Sequence, residues 1–207
     1  MGRKFLNPDN PLMITLSNIT DCIFLSLFWL VGCIPVVTAG ASFAALYDAT
    51  HQSLRKGSKH SWSRFLHVYR KNWKAGILPT LVFCAVIFGV AKAVVGLWNN
   101  AVAGELSWML FSGCAFLGIL VVGIISLMFP MLSRFENSFA ALLKNTLFLA
   151  LANLPRTVAL GMVNTITGLL CAVLIVPLFF LPSLAMLVNT FFIEPMFKPY
   201  MPKEDAV

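Results

Sequence analysis

The chain has 207 residues, of which 59% are hydrophobic and only 11% are charged, and its mean hydropathy is +0.85. Soluble globular domains carry about 25% charged residues, so this composition excludes an ordinary soluble domain. The formal net charge of +7 is not an argument for nucleic-acid binding, because a basic loop beside a membrane span is expected for orientation alone.

Two long charge-free runs indicate transmembrane helices. Residues 106–133 carry no formal charge, and neither do residues 157–193, which Pro177 and Pro182 interrupt. A helix that crosses a bilayer needs about 20 apolar residues. Because backbone groups in lipid must bond internally and no alternating strand pattern appears, these runs are predicted to be helices. The sequence therefore predicts an all-α polytopic membrane protein.

Seven apolar segments follow one another along the chain. They are segment A at about 11–34, B at 36–50, C at 76–98, D at 106–129, E at 136–153, F at 157–176 and G at 183–197. Pro35 and Pro130 are predicted to end A and D, because proline disrupts a helix interior. Five to six segments are expected to cross the membrane. If B crosses there are six, as the charge count favours; if B lies on the inner face like E there are five.

The pentapeptide SFAAL occurs twice, at Ser42–Leu46 and Ser138–Leu142, each time after a proline-terminated span. Two interpretations remain open for this single membrane domain of residues 1–207. One is an internal duplication with halves 11–98 and 105–180 and a terminal helix 183–197, as in many transport folds. The other is ordinary packing chemistry, since Ala and Ser permit close helix contact. The five-span arrangement fits the duplication better.

Residues 51–75 hold the strongest electrostatic signal. Their formal charge of +7 equals that of the whole chain, and they include all three histidines. The positive-inside rule therefore places them in the cytoplasm. Aromatic and basic residues alternate here with helical spacing, which predicts a separate amphipathic helix at 61–74 on the cytoplasmic face, with Ser61 as its N-cap. The candidate residues for contact with lipid or a partner are Trp62, Arg64, Phe65, Tyr69, Arg70, Lys71, Trp73 and Lys74.

The same rule orients the remaining segments. The link between C and D, residues 99–105, lacks Lys and Arg and is predicted to lie outside. Arg134, Lys144 and Arg156 are then inside, and the C-terminus after Lys198 is cytoplasmic.

Three further groups of residues are candidates for more than packing. Asp21 lies within segment A, one turn after Asn18, and an ionisable group at that depth is a functional candidate by default. The competing interpretation is that Asn18 and a hydroxyl of a neighbouring helix satisfy this carboxyl. Arg134, Glu136 and Asn137 form a candidate motif at the inner face, where Glu136 can cap helix E. Asp48 and His51, three residues apart, are expected to form a local pair.

Signatures of catalysis or metal binding are not found. The five cysteines lie in apolar segments without a CxxC pair, which is typical of small buried hydrophobic residues. No H-E-x-x-H, P-loop or nucleophile-elbow motif occurs. We therefore expect a protein that is not an enzyme and that holds no metal and no cofactor.

Several stretches carry a resemblance to a known family. NPDNPLM, VVTAGASFAALYDAT and FPMLSRFENSFAALLKNTLFLALANLP occur in order along the chain, and together they resemble the YesL family, domain-of-unknown-function family 624. Asp48 departs from the aromatic or aliphatic residue expected after ALY. The resemblance implies a small multi-pass protein of the bacterial cell membrane, of a kind commonly encoded beside carbohydrate ABC importers. It offers no catalytic residues.

Two functions follow from the residues and the resemblance. The first is a non-catalytic accessory or regulatory partner of a carbohydrate ABC importer, whose partners are the lipid bilayer and the importer's membrane subunits. The second is a small stand-alone transporter that uses the intramembrane Asp21. No nucleic-acid partner is expected, and the sugar and the oligomeric state are left open.

Overall fold

The computed structural model describes residues 11–55, 61–102, 104, 108–135 and 138–200. These residues form helices and no strand, which confirms the all-α prediction. The α-helices are α1 (Pro11–Cys33), α2 (Ala39–Thr50), α3 (Ser61–Val102), α4 (Trp108–Arg134), α5 (Phe139–Ala152), α6 (Leu154–Val173) and α7 (Leu181–Phe197). A π-helical turn, His51–Arg55, extends α2.

Three of these helices, α3, α4 and α6, are long and apolar enough to cross a membrane by length and composition. Residues 17–33 of α1 and helix α5 are shorter apolar helices. Helix α2 has 12 residues, or about 18 Å of length at 1.5 Å per residue, whereas a bilayer core is about 30 Å thick. With its π-helical extension α2 is as long as α7, so the choice between five and six spans stays a prediction.

Helix α3 differs from the sequence prediction, which separated a basic helix at 61–74 from segment C. Residues 61–102 form one helix of 42 residues, about 63 Å long and twice the thickness of a bilayer core. Gly76 lies inside this helix, and its missing Cβ lets α2 approach: a Cβ would lie 3.0 Å from the Ala41 nitrogen. The first third of α3 therefore belongs to the same continuous helix as the predicted span instead of forming a separate surface helix.

Pro130 is also placed differently from the prediction. It lies inside α4, buried, and the helix ends at Arg134. A proline inside a helix removes one backbone hydrogen bond, and buried membrane helices tolerate this because neighbouring groups compensate. The prediction that Pro130 ends segment D was therefore wrong by about one helical turn.

The centre of the molecule is α2, which is buried on nearly all sides from Gly40 to Thr50. Phe43, its one partly buried member in that stretch, stacks on Phe129 of α4 with ring centroids 5.5 Å apart. Helices α1, α3, α4 and α7 all pack against α2. Side chains at the end of α2 therefore meet those of several other helices.

Helices α4 and α6 approach each other closely at two glycines. A Cβ at Gly123 would clash with the Thr157 carbonyl oxygen, and a Cβ at Gly161 would clash with the Ile119 carbonyl oxygen. Small residues of this kind allow membrane helices to pack backbone against backbone.

The two SFAAL copies occupy different helical positions. Ser42 is buried in the interior of α2, whereas Ser138 is the N-cap residue of α5. An internal duplication stays a prediction.

Candidate functional site

Asp21 of α1 is half-buried and accepts a hydrogen bond of 2.8 Å from the Ser61 hydroxyl at the start of α3. Asn18, the second residue of this candidate site, is exposed. The hydroxyl of a neighbouring helix, which the sequence left as one interpretation, is therefore that of Ser61. The contact ties the middle of α1 to the beginning of α3.

A polar cluster, defined here as Tyr47, His51, Arg134 and Glu194, joins α2, α4 and α7. Glu194 Oε1 lies 2.7 Å from the Tyr47 hydroxyl, 3.0 Å from Arg134 Nη2 and 3.1 Å from His51 Nε2. Arg134 Nη2 also lies 2.7 Å from His51 Nδ1. One carboxylate oxygen thus connects three helices.

The hydrogen-bond roles in the polar cluster follow from its geometry. A guanidinium only donates, so His51 Nδ1 accepts from Arg134 and His51 Nε2–H donates to Glu194. This arrangement requires the neutral Nε2–H tautomer of His51. The pKa of a free tyrosine phenol is about 10, so a phenol carries its proton at neutral pH. Tyr47 therefore stays protonated and donates to Glu194.

Asp48 has a partner that the sequence did not predict. Its side chain is 4% exposed and forms an ion pair with Arg64, with 2.5 Å between Oδ2 and the guanidinium Nε. The sequence suggested a local pair of Asp48 with His51, but the ion pair instead connects α2 with α3. Arg64, expected to face lipid or a partner, is held by this intramolecular contact.

The aromatic residues near the start of α3 divide between two surfaces. Phe65 is buried and stacks on Phe28 of α1 and on Tyr69, at 5.9 and 6.2 Å between ring centroids. Trp62 and Trp73 are 55% and 45% exposed. The aromatic residues that the sequence grouped on one predicted helix therefore lie partly in the core and partly on the surface.

The exposed side of the same stretch is the basic face of α3, defined here as Trp62, His67, Arg70, Trp73 and Lys74. All five side chains are exposed, and the Lys74 ammonium lies 5.4 Å from the Trp73 ring centroid. Residues with this spacing share one side of a helix. The basic face thus presents cations and indole rings together.

A cleft of about 580 Å³ opens between α3 and the end of α4. It is lined by Lys71, Asn72, Ala75, Leu132, Ser133, Arg134 and Phe135. Arg134 thus contributes to both the cleft and the polar cluster. Its Nε atom is buried and lacks a hydrogen-bond partner among the described residues.

Sequence reasoning singled out Arg134 but missed Glu194. The signal was present, because Glu194 is the single acidic residue in the stretch 137–203 and lies in an apolar helix, where ionisable groups are functional candidates. Two residues of the predicted inner-face motif, Glu136 and Asn137, lie outside the described residues.

Comparison with protein-family models matches part of the chain. Residues 22–92 match the model of the family described as "Protein of unknown function, DUF624". No curated protein matches the chain, and no solved structure does. The match covers α2, the basic face of α3 and the Asp48–Arg64 pair, whereas Arg134 and Glu194 lie beyond it. The resemblance inferred from the sequence is thereby confirmed over residues 22–92, which are similar to the DUF624 family of proteins of unknown function.

Proposed function

We propose that the protein is a non-catalytic component of the bacterial cell membrane that acts as an accessory or regulatory partner of a carbohydrate ABC importer. One structural observation carries the proposal: the basic face of α3 lies exposed on a helix that continues beyond its predicted span. The kind of partner rests on the family resemblance, since members are commonly encoded beside such importers.

The composition of the basic face suits a protein partner. Arg70 and Lys74 carry positive charge at adjacent turns, and Trp62 and Trp73 offer large exposed rings. Trp and Arg are enriched among residues that contribute most to protein interfaces. We expect an acidic patch on the importer's membrane subunits opposite this face, because complementary charge directs association and orientation.

Affinity purification from native membranes, with the protein expressed from its own promoter, tests the proposal. The variant is Arg70→Ser with Lys74→Ser. The matched control is Lys144→Ser with Lys198→Ser, which removes the same charge from exposed positions elsewhere. Arg64 is left unchanged because its removal would leave Asp48 unpaired.

Importer membrane subunits are expected with the wild type and the control, and their loss is expected with the basic-face variant. If no importer subunit is recovered and a deletion strain imports sugars normally, the partner proposal fails.

The second candidate function, a small stand-alone transporter, rests on the prediction that Asp21 lies in the membrane, although its partner Ser61 lies at the start of α3, before the predicted span at 76–98. Its carboxylate is half-buried in an apolar helix and accepts a hydrogen bond from the Ser61 hydroxyl. If sealed vesicles that contain the wild-type protein take up a solute and vesicles that contain Asp21→Asn do not, this function is favoured over the partner function.

A further inference from the structure

We infer that the side of α3 around Lys92 binds a transmembrane helix of another protein, and that this helix carries an acidic residue near the middle of the membrane. Lys92 lies within the predicted span at 76–98, and its side chain is exposed. Charged residues within a membrane almost always face other helices or water, and they pair with an opposite charge or a carbonyl group. An exposed lysine at this depth therefore indicates a surface that a further helix covers.

The side chain of Lys92 extends towards the middle of the predicted span. Its ammonium lies 5.5 Å from the ring centroid of Phe88, one helical turn nearer to the start of α3, which is the direction in which helical side chains point. Phe88 lies beside the midpoint of the span at 76–98. The ion pairs among the described residues do not include Lys92. The positive charge thus lies at mid-membrane depth and contacts an aromatic ring.

Small residues flank Lys92 on the same side of α3. Ala85, Gly89 and Gly96 are exposed, and with 3.6 residues per turn they lie within about 60° of Lys92 around the helix axis. These four residues are named the Lys92 face. A Cβ at Gly89 or Gly96 would meet nothing within 4 Å, whereas a Cβ at Gly123 would clash with α6. Glycine disfavours a helix relative to alanine, so two glycines without a neighbour inside the chain suit the close approach of a helix from outside.

The rest of the described chain leaves the Lys92 face uncovered. Helix α3 is the least buried of the three candidate spans. Helix α4 approaches it at Gly118, where a Cβ would lie 3.2 Å from Val90 and 3.9 Å from Val94. Each valine is two residues from Lys92 and therefore about 160° away around the helix axis. Helix α4 thus packs on the side of α3 opposite to Lys92.

Charge favours a partner helix over a second copy of the chain. Two copies inserted in the same orientation and joined through this face would bring Lys92 against Lys92, and like charges across an interface repel. The acidic residues that the structure describes, Asp21, Asp48 and Glu194, are already bonded within the chain. A carboxylate on another protein's helix complements the ammonium and forms a charge-assisted hydrogen bond with it.

This contact lies in the membrane-embedded part of α3. It is therefore independent of the basic face and of the kind of partner proposed for that face.

Synthetic transmembrane peptides are the probe for the test. Three peptides of otherwise identical leucine–alanine sequence carry a central Glu, Lys or Leu and a fluorescent donor. The full-length protein carries an acceptor on Asn100→Cys, in a background without the native cysteines. Protein and peptide are reconstituted in phosphatidylcholine liposomes at neutral pH, and energy transfer at increasing peptide density gives the apparent affinity.

Three variants change the face in different ways. Lys92→Leu removes the cation, Lys92→Glu reverses its charge, and Gly89→Leu blocks close approach without changing the charge. Gly113→Leu is the matched control, because Gly113 is an exposed glycine of α4 whose Cβ would also meet nothing within 4 Å. All three positions are exposed, so the fold should be retained, and circular dichroism checks the helix content.

We expect wild-type protein and Gly113→Leu to bind the Glu peptide about tenfold more tightly than the Leu and Lys peptides. Lys92→Leu should lose this preference, Gly89→Leu should bind the Glu peptide about tenfold more weakly, and Lys92→Glu should prefer the Lys peptide. Equal affinity for the three peptides, or a preference for Glu that persists in Lys92→Leu, would overturn the inference. Energy transfer between differently labelled copies of the protein without peptide, abolished by Gly89→Leu, would also overturn it by assigning the face to a second copy.

Discussion

Arg134 at the end of α4 donates to Glu194 of α7 over 3.0 Å, with both side chains more than four-fifths buried. These residues are 60 positions apart in the chain, and neither lies in the region that matches the family model. Their contact, together with Tyr47 and His51 of α2, holds the ends of three helices in one arrangement.

We predict that breaking this pair is more damaging than removing it. Glu194→Leu leaves a buried guanidinium without its carboxylate and should reduce the free energy of unfolding by about 3–5 kcal/mol. The double variant Arg134→Met with Glu194→Leu should recover part of that loss, because it removes the uncompensated guanidinium, while Tyr47 and His51 lose their acceptor in both variants. Denaturant unfolding in detergent, followed by circular dichroism, measures the difference. A double variant as unstable as Glu194→Leu would contradict the pairing.

The Asp48–Arg64 ion pair gives a second prediction. Arg64→Ser should destabilise the protein by about 1–3 kcal/mol, because Asp48 would remain buried with its charge uncompensated. Arg70→Ser removes the same charge from the same helix at an exposed position and should change stability by no more than about 0.5 kcal/mol. The same unfolding measurement applies to both variants. Similar effects of the two substitutions would show that Arg64 stabilises the protein only through its positive charge and not through its ion pair with Asp48.

A third prediction concerns the glycines between α4 and α6. Gly123→Ala should destabilise the protein by about 1–3 kcal/mol, because the new methyl group would force α4 away from the Thr157 carbonyl. Gly113→Ala in α4 and Gly168→Ala in α6 are matched controls, since a Cβ at either position meets nothing within 4 Å. Both controls should be neutral or slightly stabilising, because alanine favours helix over glycine. Thermal unfolding in detergent distinguishes the two groups.

Asp21 provides a fourth prediction. Asp21→Asn keeps an oxygen that can accept the Ser61 hydrogen bond and should leave the elution profile and the unfolding temperature near those of the wild type. Asp21→Leu leaves the Ser61 hydroxyl without this acceptor and should cost about 1–3 kcal/mol, since Ser61 is buried. Equal stability of the two variants would mean that the Ser61 contact contributes nothing to the fold.

The orientation is a fifth prediction, and cysteine labelling tests it. In a background without the five native cysteines, a cysteine at Ser58 should react with a membrane-impermeant maleimide only after the cells are opened. A cysteine at Asn100, which is exposed in α3, should react in intact cells. The expectation follows from the concentration of Lys and Arg in residues 51–75. Labelling of Ser58→Cys in intact cells would reverse the topology.

The sequence by itself predicted that the protein lies in a membrane and that its fold is helical. Hydrophobicity and charge-free length are local properties of the chain, so they predicted apolar helices at 106–133 and within 157–193, where α4, α6 and α7 are found. The spacing of aromatic and basic residues likewise predicted a helix from Ser61 onward. Helix ends were less predictable, because burial and packing let α3 continue through Gly76 and α4 continue through Pro130.

Only the tertiary structure decided which charged residues are partners. Asp48 lies three positions from His51, yet it forms an ion pair with Arg64, and Glu194 receives hydrogen bonds from Tyr47 and Arg134, far away in the chain. The reason is physical. A buried charge is stabilised most by whichever opposite charge the packing brings within about 3 Å. In a helical membrane bundle that distance depends on which helices cross and on where along their length they cross. Neither quantity is encoded in the spacing of residues along a single helix.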